Sequence, residues 1–142
     1  MSEIKQVTDW IDAAQQEPNV RNVANYLAYT MSELSEALRS IPDGGLFALG
    51  HHLEGVSVMI RKGDYDKNIA KAKRIEMLDG AIDTAWCAIG LAHMLADAQG
   101  AFNEVAASNY SKFEGGVCQL DSTGKVVKGP GYFKPELAKF LR

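Results

Sequence analysis

Between Met77 and Trp86 the chain reads Met-Leu-Asp-Gly-Ala-Ile-Asp-Thr-Ala-Trp. The apolar spacing predicts a helix, and Asp79 and Asp83 take places that a buried helix would give to apolar residues. With Glu76 they fall at i, i+3 and i+7, on one helix face. A second acidic pair, Glu33 and Glu36, lies three residues apart on another helical stretch. A Glu-x-x-Glu pair by itself is ordinarily a solvated face, so the trio is the stronger sign of a site. Two acidic faces on packed helices would bring four or five carboxylates together. Like charges ~5 Å apart repel by roughly 3 kcal/mol at an effective dielectric of ~20, against a net fold stability of only ~5–15 kcal/mol. Protons or a cation must then neutralise them. Hard oxygen donors with no Cys or His converging on them select Mg²⁺, with Mn²⁺ as the second choice, over zinc. Magnesium held by carboxylates keeps positions open for phosphate oxygens, which points to phosphate chemistry. Gly80, costing ~1 kcal/mol relative to Ala in a helix, is expected to mark close packing or ligand approach.

The rest of the chain is consistent with an all-α fold in a single domain, residues 1–142. Val7, Trp10, Ile11 and Ala14 recur at helical spacing, and Glu17-Pro18-Asn19 interrupts them. Helices are expected over about Val20–Arg39, with Val23, Leu27, Met31, Leu34 and Leu38 in one stripe, and over about Leu46–Arg61. Ile41-Pro42-Asp43-Gly44-Gly45 separates them. The spacing then predicts one long helix from about Lys67 to Ala98, a break at Gly100, and a helix from Ala101 to about Lys112. Val117–Val127, around the turn Asp121-Ser122-Thr123-Gly124, reads as a small hairpin or extended flap. Pro130 and Pro135 bracket an irregular tail with one or two helical turns at its end.

Composition excludes several function classes. A net charge of −3, with no Lys/Arg block, gives no general attraction to nucleic acid. No run approaches the ~20 apolar residues of a membrane span, and the first residues carry no apolar signal region. Cys87 and Cys118 lack CxxC spacing; Cys87 is expected to be a buried, reduced thiol, which fits a cytoplasmic location. His51, His52 and His93 read as structural or surface residues.

Glu33-Leu34-Ser35-Glu36 followed by Glu76-Met77-Leu78-Asp79 resembles the Glu-x-x-Glu … Glu-x-x-Asp signature of the MazG-like, all-α nucleotide pyrophosphatase superfamily. Closer still is the resemblance to its compact phage and bacterial members. There, Leu-Asp-Gly-x-x-Asp is followed by Ser-Asn-x-Ser-Lys-Phe and then Gly-Lys-Val-x-Lys-Gly-Pro-x-Tyr-Phe-x-Pro. This chain has Leu78-Asp79-Gly80-Ala81-Ile82-Asp83 and Ser108-Asn109-Tyr110-Ser111-Lys112-Phe113. It closes with Gly124-Lys125-Val126-Val127-Lys128-Gly129-Pro130-Gly131-Tyr132-Phe133-Lys134-Pro135. The resemblance runs from about Asn25 onward. The gap from Glu36 to Glu76 is wider than in that family, with Leu46–Arg61 as an extra helix; Glu54 competes as a ligand but has no Asp three residues on.

The resemblance implies a four-helix-type bundle with a short C-terminal extended flap. It also implies Mg²⁺-dependent conversion of a (d)NTP to a (d)NMP and pyrophosphate, a purine dNTP such as dGTP or dATP being the first guess. Glu33, Glu36, Glu76 and Asp79 would bind the metal, with Glu36 or Glu33 as general base. Asp83 would be a further ligand or sit behind the ligands. Lys112, Lys125 and Lys128 would meet the phosphates, Asn109 a sugar or base edge, and Tyr132 or Trp86 a base face, although Trp86 reads first as core. A homodimer or homotetramer is expected, with the third helix and the tail as contacts, in the cytoplasm (the host cytoplasm for a phage-encoded chain). The alternatives are a phosphoribosyl-ATP pyrophosphohydrolase-like enzyme and a non-enzymatic helical adaptor with acidic faces.

Overall fold

In the computed structural model, which describes residues 2–142, the protein is predominantly helical. Six α-helices run α1 Glu3–Ala13, α2 Val20–Arg39, α3 Gly44–Arg61, α4 Asp66–Ile69, α5 Arg74–Leu95 and α6 Ala98–Tyr110, with one 3₁₀ turn at Ala138–Phe140. The chain divides into two compact units.

The first unit comprises Glu17–Ala72 and Ser122–Lys125. Asn19 starts α2 by accepting the Asn22 amide on its side chain, and Asp43 starts α3 by accepting that of Leu46. Small residues let these helices approach closely. Ala24 and Ala28 are fully buried and form a core with Ile60, backed by Met31, Val56 and Ile69. Buried Ser57 donates from Oγ to the Ala28 carbonyl at 2.8 Å and shares a 2.7 Å hydrogen bond with Ser32, so the polar atom in this core is satisfied. A Cβ added at Gly50 would lie 2.6 Å from Arg39 Cγ and 3.0 Å from the Ser35 carbonyl, which explains the glycine. Gly63, at φ 91°, turns the chain out of α3. One turn later Asp66 takes both its oxygens to Arg21 Nη1, at 2.8 and 2.9 Å, while Arg21 Nη2 donates to the Ile60 carbonyl.

The second unit comprises the segments up to Gln16, Lys73–Asp121 and Val126–Arg142. Trp10 of α1 donates from Nε1 to the Asn109 carbonyl of α6 at 3.0 Å, and the Tyr110 hydroxyl returns a bond to the Gln6 carbonyl. Trp10 also meets Phe113 edge-on. The tail closes over the α5–α6 junction: Asp97 N–H donates to Phe140 O, Arg142 N–H to Leu95 O, and Ala96 bridges Leu141. In contrast, no residue of α5 is buried.

Several expectations need correction. The long helix expected from Lys67 to Ala98 is two, α4 and α5, separated by residues 70–73. The break placed at Gly100 falls instead at Ala96, where the backbone is extended to make the bridge to Leu141. Gly100 is inside α6, where an added Cβ would meet Phe140 at 2.6 Å. The expected hairpin is reduced to the isolated bridges Glu114 to Val117 and Leu120 to Val126, with no strand among the described residues. Cys87 is exposed rather than buried, and Trp86 is 80% exposed rather than core, because both lie on α5. An added Cβ at Gly80 would meet nothing within 4 Å, so close packing against this chain does not explain that glycine.

Candidate functional site

Of the carboxylates singled out in the sequence, Glu33 and Glu36 lie on α2 in the first unit; Glu76, Asp79 and Asp83 lie on α5 in the second. All five are exposed. The helical spacing keeps Glu33 with Glu36, and Glu76 with Asp79 and Asp83, on shared faces. The premise that Asp79 and Asp83 sit in a buried helix does not hold for the chain itself, since their apolar neighbours are exposed with them. Glu36, Glu76, Asp79 and Asp83 take part in no ion pair among the described residues. Nor, among those residues, do three His, Cys, Asp or Glu side chains gather where a metal ion could sit. As donors, however, exposed carboxylates unpaired with protein cations suit a hard divalent ion.

The polar residues expected at a phosphate or base separate into two groups. In the second unit Lys112 donates from Nζ to Asn109 Oδ1 at 2.8 Å and lies 5.8 Å from the Trp10 ring centroid. A Cβ at Gly129 would stand 3.0 Å from the Lys112 carbonyl, so the tail passes tightly over this point. Lys128 lies over the Tyr132 ring at 4.6 Å. Asn109 and Lys112 are therefore brought together, as are Lys128 and Tyr132, each lysine held over an aromatic face. Lys125 belongs to the first unit, 5.5 Å from the Tyr29 ring centroid.

The first unit also holds an open groove of about 530 Å³ lined by polar and charged residues that no sequence motif marks. Arg21, Arg61 and Lys62 line it together with Asp66, Asn19, Asn22, Ser122, Thr123 and Gly124. Arg21 is engaged by Asp66 and Arg61 by Glu54 at 3.2 Å; Lys62 makes no ion pair among the described residues. Beside it Asn25, 1% exposed, donates from Nδ2 to the Thr123 carbonyl at 2.7 Å, while its Oδ1 has no partner. The sequence signal was faint: Arg21 follows a helix cap, Arg61-Lys62 precedes a glycine turn, and the third wall comes from almost 60 residues away. Further along α2, burial pushes the Tyr26 phenol up to about 12, with Tyr29 adding to the shift.

The geometry defines a predominantly helical protein with two exposed acidic helix faces and lysine–aromatic pairs. No family model matches its sequence, and neither a curated protein nor a solved structure matches it.

Proposed function

We propose that the protein is a magnesium-dependent nucleoside triphosphate pyrophosphohydrolase that releases a nucleoside monophosphate and pyrophosphate. One observation carries this reading. The Glu-x-x-Glu of α2 and the Glu-x-x-Asp of α5 stand as exposed carboxylate faces, and Glu36, Glu76 and Asp79 have no cationic partner in the chain. The residues four beyond Glu36, Glu76 and Asp79 are Ser40, Gly80 and Asp83, none of them basic, and neither Arg39 nor Lys73, three residues from Glu36 and Glu76, forms an ion pair with them.

In this reading Glu33 and Glu36 of α2 and Glu76 and Asp79 of α5 are the metal-binding carboxylates, oxygen donors that fit Mg²⁺ or Mn²⁺. The ion, when bound, supplies neutralising charge at the phosphates. Glu36 accepts the proton of the water that attacks the α-phosphorus, and Asp83 orients its neighbours one turn away. Lys112 and Lys128, already held over aromatic rings, meet the leaving phosphates. Asn109 and Tyr132 lie beside those lysines and supply an amide edge and a ring face for sugar or base. A purine deoxynucleotide is the first substrate to try.

The test is a panel of NTPs and dNTPs with Mg²⁺, expected to yield monophosphate and pyrophosphate. Inorganic phosphate as sole product overturns the cleavage position. Glu36→Gln and Asp79→Asn are each expected to lower turnover by about 100-fold or more while the helical circular-dichroism signal stays. A second reading, a non-enzymatic helical interaction protein, is favoured by the exposed apolar side chains of α5. Absence of turnover on the whole panel, with or without Mg²⁺ and Mn²⁺, would select it.

A further inference from the structure

We propose that the open groove of the first unit binds a phosphorylated sugar, a small phosphate monoester with free hydroxyls. Every residue that lines the groove belongs to that unit. Its walls are the first turn of α2, the end of α3 with the glycine turn behind it, and residues 122–124. The place is separate from the proposed catalytic carboxylates. Arg21 lies about 12 residues, or roughly 18 Å of helix, before Glu33 on α2.

Charge sets the anion end. The chain carries a net charge of −3, yet Arg21, Arg61 and Lys62 meet here, and Asp66 is the one carboxylate among the described lining residues. Asp66 takes both its oxygens to Arg21, and Glu54 holds Arg61 through Nη2 alone, at 3.2 Å. Lys62 is exposed and makes no ion pair among the described residues, so its ammonium is the charge left over. The groove also opens at the start of α2, 20 residues long, whose macrodipole favours an anion there. Phosphate oxygens can then accept from Lys62 and Arg61 together. Three buried polar atoms around the groove, Arg21 Nε, Arg61 Nε and Asn25 Oδ1, have no hydrogen-bond partner. Two of them are guanidinium donors, and their unsatisfied N–H groups add a positive potential that an anion relieves.

The other end is set by what the walls offer. Among the described residues no aromatic side chain lines the groove, so a nucleobase has no face to stack on. Hydroxyls do find partners. Asn22 spends Nδ2 on the Glu17 carbonyl at 2.8 Å, and its Oδ1 lies 3.8 Å from where a Cβ on Gly124 would stand, an acceptor facing that wall. Ser122 adds a hydroxyl. Asn25, 1% exposed, fixes the wall by donating to the Thr123 carbonyl at 2.7 Å, and Gly124, at φ 87°, turns the chain there. The volume of about 530 Å³ is within the range of small-molecule sites. An open groove leaves part of its ligand in water, so a Kd on the order of 1 mM is expected. Such binding goes beyond the catalytic reading and stands without it, since it needs neither metal nor turnover.

The probe is ribose 5-phosphate, titrated into the full chain without divalent metal and followed by ¹H–¹⁵N spectra. Saturable shifts are expected at Asn22, Lys62, Gly63 and Gly124, with ribose and inorganic phosphate each binding at least about 10-fold more weakly. Adenosine monophosphate is expected to bind no tighter than the sugar phosphate, and a gain of about 10-fold would overturn the sugar assignment. Lys62→Ala is expected to weaken binding by about 10-fold. Asp66→Asn removes the competing carboxylate and is expected to tighten binding by about threefold, a gain that a damaged fold cannot produce. No saturable shift, ribose or inorganic phosphate binding as tightly as ribose 5-phosphate, Lys62→Ala binding as wild type, or Asp66→Asn binding more weakly each overturns the proposal. So do shifts centred on Lys112 and Lys128, which would put the ligand in the second unit. Binding in the groove with no nucleotide turnover would overturn only the proposed activity.

Discussion

Helices α2 and α5 are nearly the same length, 20 and 22 residues, and each carries an apolar stripe and an acidic face. Their surroundings differ. The face of α2 that meets α3 is built around Ala24, Ala28 and Ser35, small enough for the backbone of α3 to come close and all fully buried, whereas the stripe expected from the sequence leaves Val23, Leu27 and Leu34 exposed. The stripe of α5 is built from Ile, Leu and Trp, and all of it is exposed. Small residues mark a face matched to a neighbour within the same compact unit; large ones left bare mark a face that its own unit does not cover.

That contrast has its largest measurable consequence at Ala28. Leucine there must fit where α3 leaves no free volume, and overpacking costs typically ~1–3 kcal/mol. Ala28→Leu is expected to lower Tm by roughly 3 °C for each kcal/mol lost. The counterpart change on α5, Ala85→Leu, enlarges an exposed residue and is expected to leave Tm unchanged or raised. A larger loss for Ala85→Leu than for Ala28→Leu would show that α5, not α2, is the packed helix. Next in size is Gly80→Ala. Nothing within 4 Å opposes the new methyl group. The exchange should stabilise by ~0.5–1 kcal/mol, seen as a higher denaturant midpoint. Destabilisation would reveal a close approach at Gly80.

How far the sequence revealed this arrangement depended on the kind of signal. The ends of α2 and α3 were legible because side chains write them: Asn19 and Asp43 cap the first turns, and Pro42 forbids continuation. The break between α4 and α5 was not, since Ala70-Lys71-Ala72-Lys73-Arg74 consists of good helix formers and tertiary context overrides propensity. Gly100 misled because a glycine that stops a helix and one that admits Phe140 look alike in sequence. Asp97, the N-cap of α6, was the better marker. The acidic trio stands out in the sequence, but its apolar neighbours imply a burial that α5 does not have. An apolar helix has the same composition whether its cover comes from its own chain or from another. The groove of Arg21, Arg61 and Lys62 escaped because its walls are distant in sequence and no local motif joins them.

A smaller effect is expected at Asp66→Asn. The Arg21 pair is short, but both side chains are about one-third exposed, 33% and 35%, so screening limits its worth to ~0.2–1 kcal/mol. Arg21 keeps its bond to the Ile60 carbonyl at 2.6 Å. The loss in Asp66→Asn should shrink further at ~1 M salt, where the Debye length falls to ~3 Å. A salt-independent loss would mean that Asp66 acts through packing instead.

The finest comparison uses the one phenol of α2 that the fold holds far from its ordinary behaviour. Burial disfavours the charged form of Tyr26, and Tyr29 next to it adds to this, so ionisation moves from 10.0 up to about 12. The unfolded chain ionises the same phenol near 10. Below that pH both states keep the proton and the contribution of Tyr26 to stability is intact; between about 10 and 12 the unfolded state sheds its proton first, and stability drains away. Ultraviolet titration should show a late phenol that Tyr26→Phe removes. Across the same window the denaturant midpoint of wild type should fall more steeply than that of Tyr26→Phe. Parallel curves would mean that α2 leaves this ring as wet as α5 leaves its large apolar side chains.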